Sequence, residues 1–345
     1  MITILEPAPS CPLATDGEIA LSNLESARRR AWARFAPDAR LPGVAEAILD
    51  MERLTAQFLG DPDALDRLLM LASELAGVDE TARAALVQAE VASAAHRFRD
   101  ARGHLAHAAA IGASGEAIDR QQLAIDQACG VTLDGVLAAR RRIAAASGRL
   151  EDLVALGAVL ADLERFAEAD TVYRQAFFSY DGVSPFPLAW VCFQLGMLWG
   201  ELLPSPDLKL AALWYERAVA YLPRYVKARV HLAEIWTSRG RTVDAEAMLL
   251  PAISSGDPEV RWRLAEVLIA QERFDEAEVH LDGARSGFED LLARHLLAFA
   301  DHAAEFYASR GNDCRRALEL ARVNVSNRPT CRAVKQARAI AIGCQ

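Results

Sequence analysis

Residues 151–176 carry two helical stripes of apolar side chains on either side of a short polar hinge. Apolar or small residues recur at three- and four-residue spacing before and after Glu164-Arg165, which is the period of a helix that buries one face. Gly157 and Ala169 stand where two such helices would cross, and their small size lets the backbones approach closely. The pattern therefore predicts a pair of antiparallel helices. Its apolar positions are Leu153, Leu156, Gly157 and Leu160, then Ala169, Tyr173 and Ala176.

The same pair of stripes recurs along most of the chain. If the small residue that opens each second helix is taken as a marker, successive markers lie 68, 42, 34, 32 and 40 residues apart. The first interval is twice 34, so it predicts a degenerate repeat between Ala101 and Ala169, with Gly135 at the marker position. The long last interval predicts an extended first helix over residues 288–310. The markers are Ala101, Ala169, Ala211, Ala245, Ala277 and Ala317.

The segments that flank the repeats predict further helices. Prolines at positions 7, 9 and 12 predict a mobile tail over residues 1–15. Asp16 is a plausible N-cap for a helix to Phe35, and residues 44–59 and 62–75 follow as helices, the last with Asp61 as cap. We expect N-terminal helices over 16–79, the repeats over 80–329 and a C-terminal capping helix within 330–345, because a solenoid needs a polar end.

A helix–turn–helix unit repeated about every 34 residues resembles the tetratricopeptide repeat (TPR) family. The resemblance covers residues 44–329 and is strongest over 148–284, where small residues occupy the crossing positions and Pro223 closes a second helix. It implies an all-α fold, namely a right-handed α-solenoid of antiparallel helix hairpins, and we expect no strand. A coiled coil is the structural alternative, but the regular polar hinges disfavour a continuous heptad.

The resemblance also implies a concave groove lined by the first helices of the repeats. Family positions carried over to this chain place an apolar strip there with carboxylates beside it, which suits a peptide or helix of a partner protein. A scaffold or adaptor that binds such a segment is therefore the expected function, with no enzymatic activity and no cofactor or metal. The predicted groove residues are Trp190, Phe193, Met197, Lys227, Val230, Glu234, Trp262 and Glu266.

Two alternatives concern these groove positions. Large aromatic side chains are usually well buried, so Trp190 and Trp262 can instead be core residues between helices. The family members that grip a terminal carboxylate use lysine and asparagine at the equivalent positions, and here Lys227 and Arg263 have no accompanying asparagine. We therefore do not predict a carboxylate clamp.

Charge and composition restrict the class of partner. The formal net charge of −9 and the pI near 5.4 disfavour a nucleic-acid partner, which needs a basic surface to meet phosphates. No apolar run reaches the length of a membrane span, and the N-terminus lacks the pattern of a secretory signal. The six cysteines include no C-x-x-C pair and are expected to be reduced thiols. A cytoplasmic location is the expectation by elimination.

An enzymatic alternative rests on few residues. His104 and His107 lie three residues apart, His96 is near them, and Cys192 lies in an apolar helix. A metal or thiol site on the helical scaffold is thus the second hypothesis, although the H-E-x-x-H, P-loop and G-x-S-x-G motifs are absent. Self-association through the open ends of the solenoid is a third.

One hinge is three residues longer than the repeat requires. Pro204 and Pro206 restrict the residues before them to extended geometry, so the stretch Leu202 to Pro206 is expected to bulge at one edge rather than extend a helix. The bulge is predicted to be a partner contact or a lid over the groove, with a neutral insertion as the alternative.

Overall fold

The computed structural model describes residues 12–344, and within them it is built from helices without strands. Asp16 caps the first helix, since its side chain accepts hydrogen bonds from the amides of Glu18 and Ile19. The helices are α1 (Gly17–Phe35), α2 (Val44–Leu59), α3 (Asp63–Val78), α4 (Ala82–Ala94), α5 (Phe98–Ala110), α6 (Gly115–Ala128), α7 (Leu133–Ser147), α8 (Leu150–Asp162), α9 (Phe166–Phe178), α10 (Pro185–Met197), α11 (Leu208–Tyr221), α12 (Val226–Ser238), α13 (Thr242–Leu249), α14 (Pro258–Ala270), α15 (Phe274–Ala308), α16 (Cys314–Asn327) and α17 (Cys331–Gly343).

Consecutive helices pack as antiparallel hairpins, and glycine at the crossing point explains how closely two of them approach. A Cβ atom added to Gly157 would lie 2.4 Å from the ring of Tyr173, and one added to Gly196 would lie 2.4 Å from the ring of Tyr215. Both tyrosine rings are buried, and each packs against the glycine of the preceding helix. The all-α solenoid of hairpins predicted from the small residues is confirmed. Gly135 is different, because its added Cβ would meet no other helix.

This crossing gives a first testable prediction. Gly196→Ala forces a Cβ into the Tyr215 ring, and overpacking of this kind costs about 1–3 kcal/mol. Gly103→Ala is the matched control, because Gly103 lies inside α5 with open space around it. There the higher helix propensity of alanine should stabilise the protein by about 1 kcal/mol. Thermal unfolding should therefore shift in opposite directions for the two variants. Equal shifts would contradict the crossing geometry.

Four of the hinges between paired helices share one local structure. A residue with positive φ ends the first helix, and the arginine after it precedes the second helix and bonds an acidic side chain three residues further on. This bond places a carboxylate near the positive N-terminal end of each second helix. The pairs are Arg97–Asp100, Arg165–Glu168, Arg241–Asp244 and Arg273–Glu276, and the positive-φ residues are His96, Glu164, Gly240 and Glu272.

The long hinge after α10 corrects one expectation. Residues Leu198–Leu202 continue α10 as a π-helical turn, so part of the insertion does extend the first helix, with the amide of Leu203 bonded to Leu198. The i to i+5 pattern absorbs extra residues without breaking the helix. The helix stops at Leu202 because Pro204 restricts Leu203 to an extended conformation, with φ −64° and ψ 140°. Only residues 203–207 form the non-helical loop.

The C-terminal part also differs from the expectation in detail. Helix α15 joins the second helix of one hairpin to the first helix of the next, with a break at His295, where φ is −141° and ψ is 50°. Cys314 and Cys344 form a disulfide between the start of α16 and the end of α17. The expectation that all cysteines are reduced thiols is therefore wrong for this pair, because the hairpin brings together two residues that are 30 apart in sequence.

The N-terminal helices fold back onto the solenoid. Phe58 of α2 packs against Phe186 and Tyr225, with ring centroids 5.3 and 4.7 Å apart. Residues 12–15 are attached too, since the amide of Thr15 donates to Val183 and the hydroxyl of Tyr221 donates to Pro12. The rest of the predicted tail lies outside the described residues. Asp63 of α3 pairs with Arg294 of α15 at 3.2 Å, so the N-terminal helices also contact the C-terminal part of the solenoid.

Candidate functional site: a charged groove on the first helices

A cavity of about 870 Å³ opens along the first helices of three consecutive repeats. Helices α10, α12 and α14 supply most of its lining residues. The π-helical turn, α11, the second half of α15 and the start of α17 supply others. Its apolar lining includes Phe193, Met197, Leu208, Ile235 and Ile269, and its charged lining includes Glu201, Lys227, His231, Glu234, Glu259, Arg263, Glu266, Glu305, Arg310 and Arg332.

Five of the eight predicted groove residues line this cavity. Phe193, Met197, Lys227, Glu234 and Glu266 come together there from three helices. Whether they contact a partner stays a prediction. Trp190 is half-buried against the core and does not line the cavity.

The other two predicted residues are not available to a partner. Val230 is fully buried in a cluster with Leu264, and Trp262 is 2% exposed and packs against Phe306 with ring centroids 5.7 Å apart. Both lie on the helix edge that the next first helix covers. The assignment of these two positions to the groove is therefore corrected, and for Trp262 the core alternative describes its place.

A network of ion pairs crosses the groove from α17 to α14. Arg263 lies at its centre, 2.6 Å from Glu234 and 3.0 Å from Glu266. His231 lies on α12, and its Nδ1 atom is 2.8 Å from Glu201 and 3.3 Å from Glu234. The groove thus carries balanced charge in which cations and carboxylates alternate between neighbouring helices.

Two further cations, Lys227 and Arg332, extend the network at its ends. The Lys227 ammonium lies 2.5 Å from Glu259 and 3.1 Å from Asp257. Arg332 of α17 lies 3.4 Å from Glu201 on the π-helical turn. The inserted turn therefore has an identifiable role, because it brings the Glu201 carboxylate into the groove.

Burial and charge together shift the ionisation of these groups. Burial alone would lower the pKa of Lys227, but the attraction of Asp257 and Glu259 outweighs it and raises that pKa well above its usual value. Burial alone would raise the pKa of Glu259, but Lys227, His302 and Arg263 hold it well below its usual range. Both groups are therefore charged at neutral pH.

The ionisation of His231 gives a second prediction. Burial alone would lower its pKa, but Glu201 and Glu234 raise it to about 10. Because this lies above the unfolded value of about 6.5, protonated His231 stabilises the fold fully below about pH 6.5 and loses this effect as the pH rises towards 10. We expect a loss of about 2 kcal/mol across that window, since part of the shift belongs to the whole network.

Thermal unfolding as a function of pH checks this expectation. In His231→Gln the alkaline decrease in stability should be reduced, whereas His107→Gln, which changes an exposed histidine, should retain the wild-type profile. An identical alkaline decrease in wild type and His231→Gln would mean that His231 is not the group that titrates.

Two donors that line the groove lack a partner within the described part of the chain. The hydroxyl of Tyr215 and the Nε atom of Arg263 make no hydrogen bond there, and Tyr215 is only 1% exposed. The Tyr215 ring also stacks on the His231 ring, with ring centroids 5.4 Å apart. A buried polar group without a partner is costly, and both atoms lie beneath the groove surface, where a bound segment would not reach them without a local movement.

The sequence analysis missed Glu201, Tyr215, His231 and Arg332 as groove residues. His231 had a readable signal, because it lies one helical turn from Lys227 and from Glu234 on the same face of α12. Arg332 had none, since its place depends on how α17 folds back across the solenoid.

The residues of the enzymatic alternative do not form a site. His96 is half-buried with its Nδ1 atom 3.1 Å from the carbonyl of Leu297, and burial together with Arg328 lowers its pKa to about 4. Cys192 is fully buried in the core, while His107 is exposed. Over residues 12–344, no group of three or more His, Cys, Asp or Glu side chains could hold a metal ion. In that same range no helix is both long and apolar enough to cross a membrane.

Comparisons with solved structures agree with this architecture. The chain is similar to the Cut9–Hcn1 hetero-tetramer of the APC/C, with a TM-score of 0.52 and 14% identity over 79% of this chain and 52% of that one. It thus spans about half the length of that chain, and the likeness concerns the fold alone. BtubC (BKLC) from P. vanneervenii is also similar, with a TM-score of 0.43 and 15% identity over 64% of this chain and 91% of that one. A tetratricopeptide repeat protein from Parabacteroides merdae has a TM-score of 0.42 and 10% identity over 77% of this chain and 93% of that one.

No family model matches the sequence, and no curated protein matches it. The fold is an α-solenoid of TPR-like helix hairpins.

Proposed function

We propose that this protein is a cytoplasmic scaffold that binds a helical segment of a partner protein in the groove on α10, α12 and α14. The observation that carries the proposal is the groove itself, with an apolar floor formed by Phe193, Met197 and Ile269 beside a charged wall. Amphipathic helices bind to such surfaces through apolar anchors one helical turn apart. Methionine in the floor adapts to different side chains.

The chain contains its own example of a helix on this face. Helix α2 lies against the start of α10 and α12, with Phe58 between Phe186 and Tyr225. The cavity begins further along the same two helices, at Phe193 and His231. A partner helix that presents a large apolar side chain to Phe193 and Met197 would use the same kind of contact.

Every groove carboxylate named in the ion-pair network already has a cation beside it, so these carboxylates do not require a basic segment on the partner. The N-terminal helices contact the C-terminal part of the solenoid through Asp63 and Arg294. We propose a helix of a different protein, rather than a second copy, as the occupant of the groove.

A blocking substitution tests the proposal. Ala270 is exposed and lines the groove, so Ala270→Trp fills the site without disturbing the core. Val279→Trp is the matched control, because Val279 is 67% exposed and lies on a second helix away from the groove.

The binding of a partner isolated with the wild-type protein should weaken about tenfold or more in Ala270→Trp, a change of about 1.4 kcal/mol or more. The control should bind like wild type, and both variants should melt at the wild-type temperature. Unchanged affinity of a correctly folded Ala270→Trp would place the partner elsewhere on the solenoid.

A further inference from the structure

The last helix is fastened at its two ends by different chemistry. At its start, Arg332 pairs with Glu201 on the π-helical turn, and Lys335 pairs with Glu164 in the hinge before α9. At its end, Cys344 is bonded to Cys314, the first residue of α16. Helix α17 therefore connects a covalent bond at one end to the mouth of the groove at the other.

The apolar contacts of α17 are few. Ile340 is its only large side chain in the buried core, and Ala333 is the other buried residue that the helix contributes. Gln336 adds a hydrogen bond to the carbonyl of Asp301. A helix that buries so little apolar surface depends on its other attachments for its position.

We propose that the Cys314–Cys344 disulfide is a redox switch that controls the position of α17 and, through Arg332, the mouth of the groove. The disulfide lies within reach of a reductant, because Cys314 is exposed. A dithiol reductant transfers two electrons and two protons to the bond, so that both cysteines become thiols while the reductant becomes a disulfide. A disulfide oxidant reverses the step.

Reduction releases the end of α17, which is then held by its surface ion pairs, the hydrogen bonds of Gln336 and the few apolar contacts of Ala333 and Ile340. Such pairs stabilise little when they are exposed, and the Arg332 side chain is 63% exposed. Once α17 moves, Glu201 keeps His231 but loses Arg332, and the π-helical turn loses its contact with the C-terminal helix. The proposed switch depends only on these contacts within the chain, so it can be tested without knowing what binds in the groove.

Hydrogen exchange on the full chain tests the switch. In oxidised protein the amides of α17 should be protected, and treatment with dithiothreitol should speed their exchange on the order of a hundredfold. Residues 198–207 should respond in the same direction by a smaller factor. Cys344→Ser should exchange rapidly with or without reductant, while Cys331→Ser, which removes the exposed thiol at the start of α17, should respond like wild type.

Arg332→Ala separates the two ends of the helix. It should raise exchange in residues 198–207 of the oxidised protein and leave the response of α17 to reductant in place. Equal exchange of α17 in oxidised and reduced wild-type protein would overturn the proposal, and so would peptide mapping that finds Cys314 and Cys344 as thiols after oxidation. If the switch operates but Ala270→Trp has no effect on partner binding, the proposed function fails and the switch remains.

Discussion

Replacing Lys227 by methionine should destabilise the protein by about 3 kcal/mol or more, because the buried Glu259 carboxylate then keeps only the more distant His302 and Arg263, and the half-buried Asp257 loses its ion-pair partner. The Glu259 side chain is 3% exposed and that of Asp257 is 11% exposed, so neither can recover full solvation by turning to water. The hydrocarbon part of methionine occupies a similar volume, so lost packing contributes little. Urea unfolding at neutral pH measures the difference.

The pH dependence of this loss identifies its cause. The pKa of Glu259 is depressed in the folded protein, so its ion pairs stabilise the fold above the unfolded pKa of about 4.3 and lose this effect as the pH falls. Without Lys227 the carboxyl group is protonated more readily. The difference between wild type and Lys227→Met should therefore narrow between about pH 7 and about pH 4.

An exposed lysine provides the control. Lys209→Met changes a solvent-exposed side chain at the start of α11 and should alter stability by no more than about 0.5 kcal/mol. A Lys227→Met variant that unfolds like this control at neutral pH would show that the buried ion pairs do not hold the groove together.

Phe58→Ala should cost about 3–5 kcal/mol as well, for a different reason. The Phe58 side chain is 2% exposed and fills the space between Phe186 and Tyr225, so its removal leaves a cavity between α2 and the solenoid. Met70→Ala on α3 is the control, since Met70 is 45% exposed. Thermal and urea unfolding measure both variants.

The location of the damage distinguishes this prediction from general destabilisation. Hydrogen exchange in Phe58→Ala should rise first in α1 and α2, while the hairpin of α12 and α13 remains protected. If α2 keeps its wild-type protection and the free energy of unfolding changes no more than in Met70→Ala, the N-terminal helices are not part of the solenoid core.

The repeat architecture could be predicted because each hairpin is specified locally. The small residues at Gly157 and Gly196 act within one hairpin, and the positive-φ position and arginine of four hinges and the Asp16 cap act within a few residues of chain. Two of these features, the small crossing residues and the cap, were read directly from the sequence. The same local logic placed Phe193, Met197 and Lys227 on one surface, because family spacing reflects helical geometry.

The features that the sequence analysis missed depend on distant parts of the chain. Val230 and Trp262 are buried because the next first helix covers them, and that depends on the angle between repeats. Arg332 reaches Glu201 across 131 residues of sequence. No periodic pattern in the sequence predicts either feature. The way a solenoid folds back on itself depends on the sum of many small rotations between repeats.

A site-specific photo-crosslinker tests the central claim most directly. It is placed at Ile269 on the groove floor or at Val279 on the outer helix, and the protein is irradiated with its partner bound. We predict that Ile269 crosslinks to one short segment of the partner, that Val279 does not, and that Ala270→Trp abolishes the Ile269 product. Crosslinking from Val279 and none from Ile269 would contradict the claim that the groove on α10, α12 and α14 holds the partner.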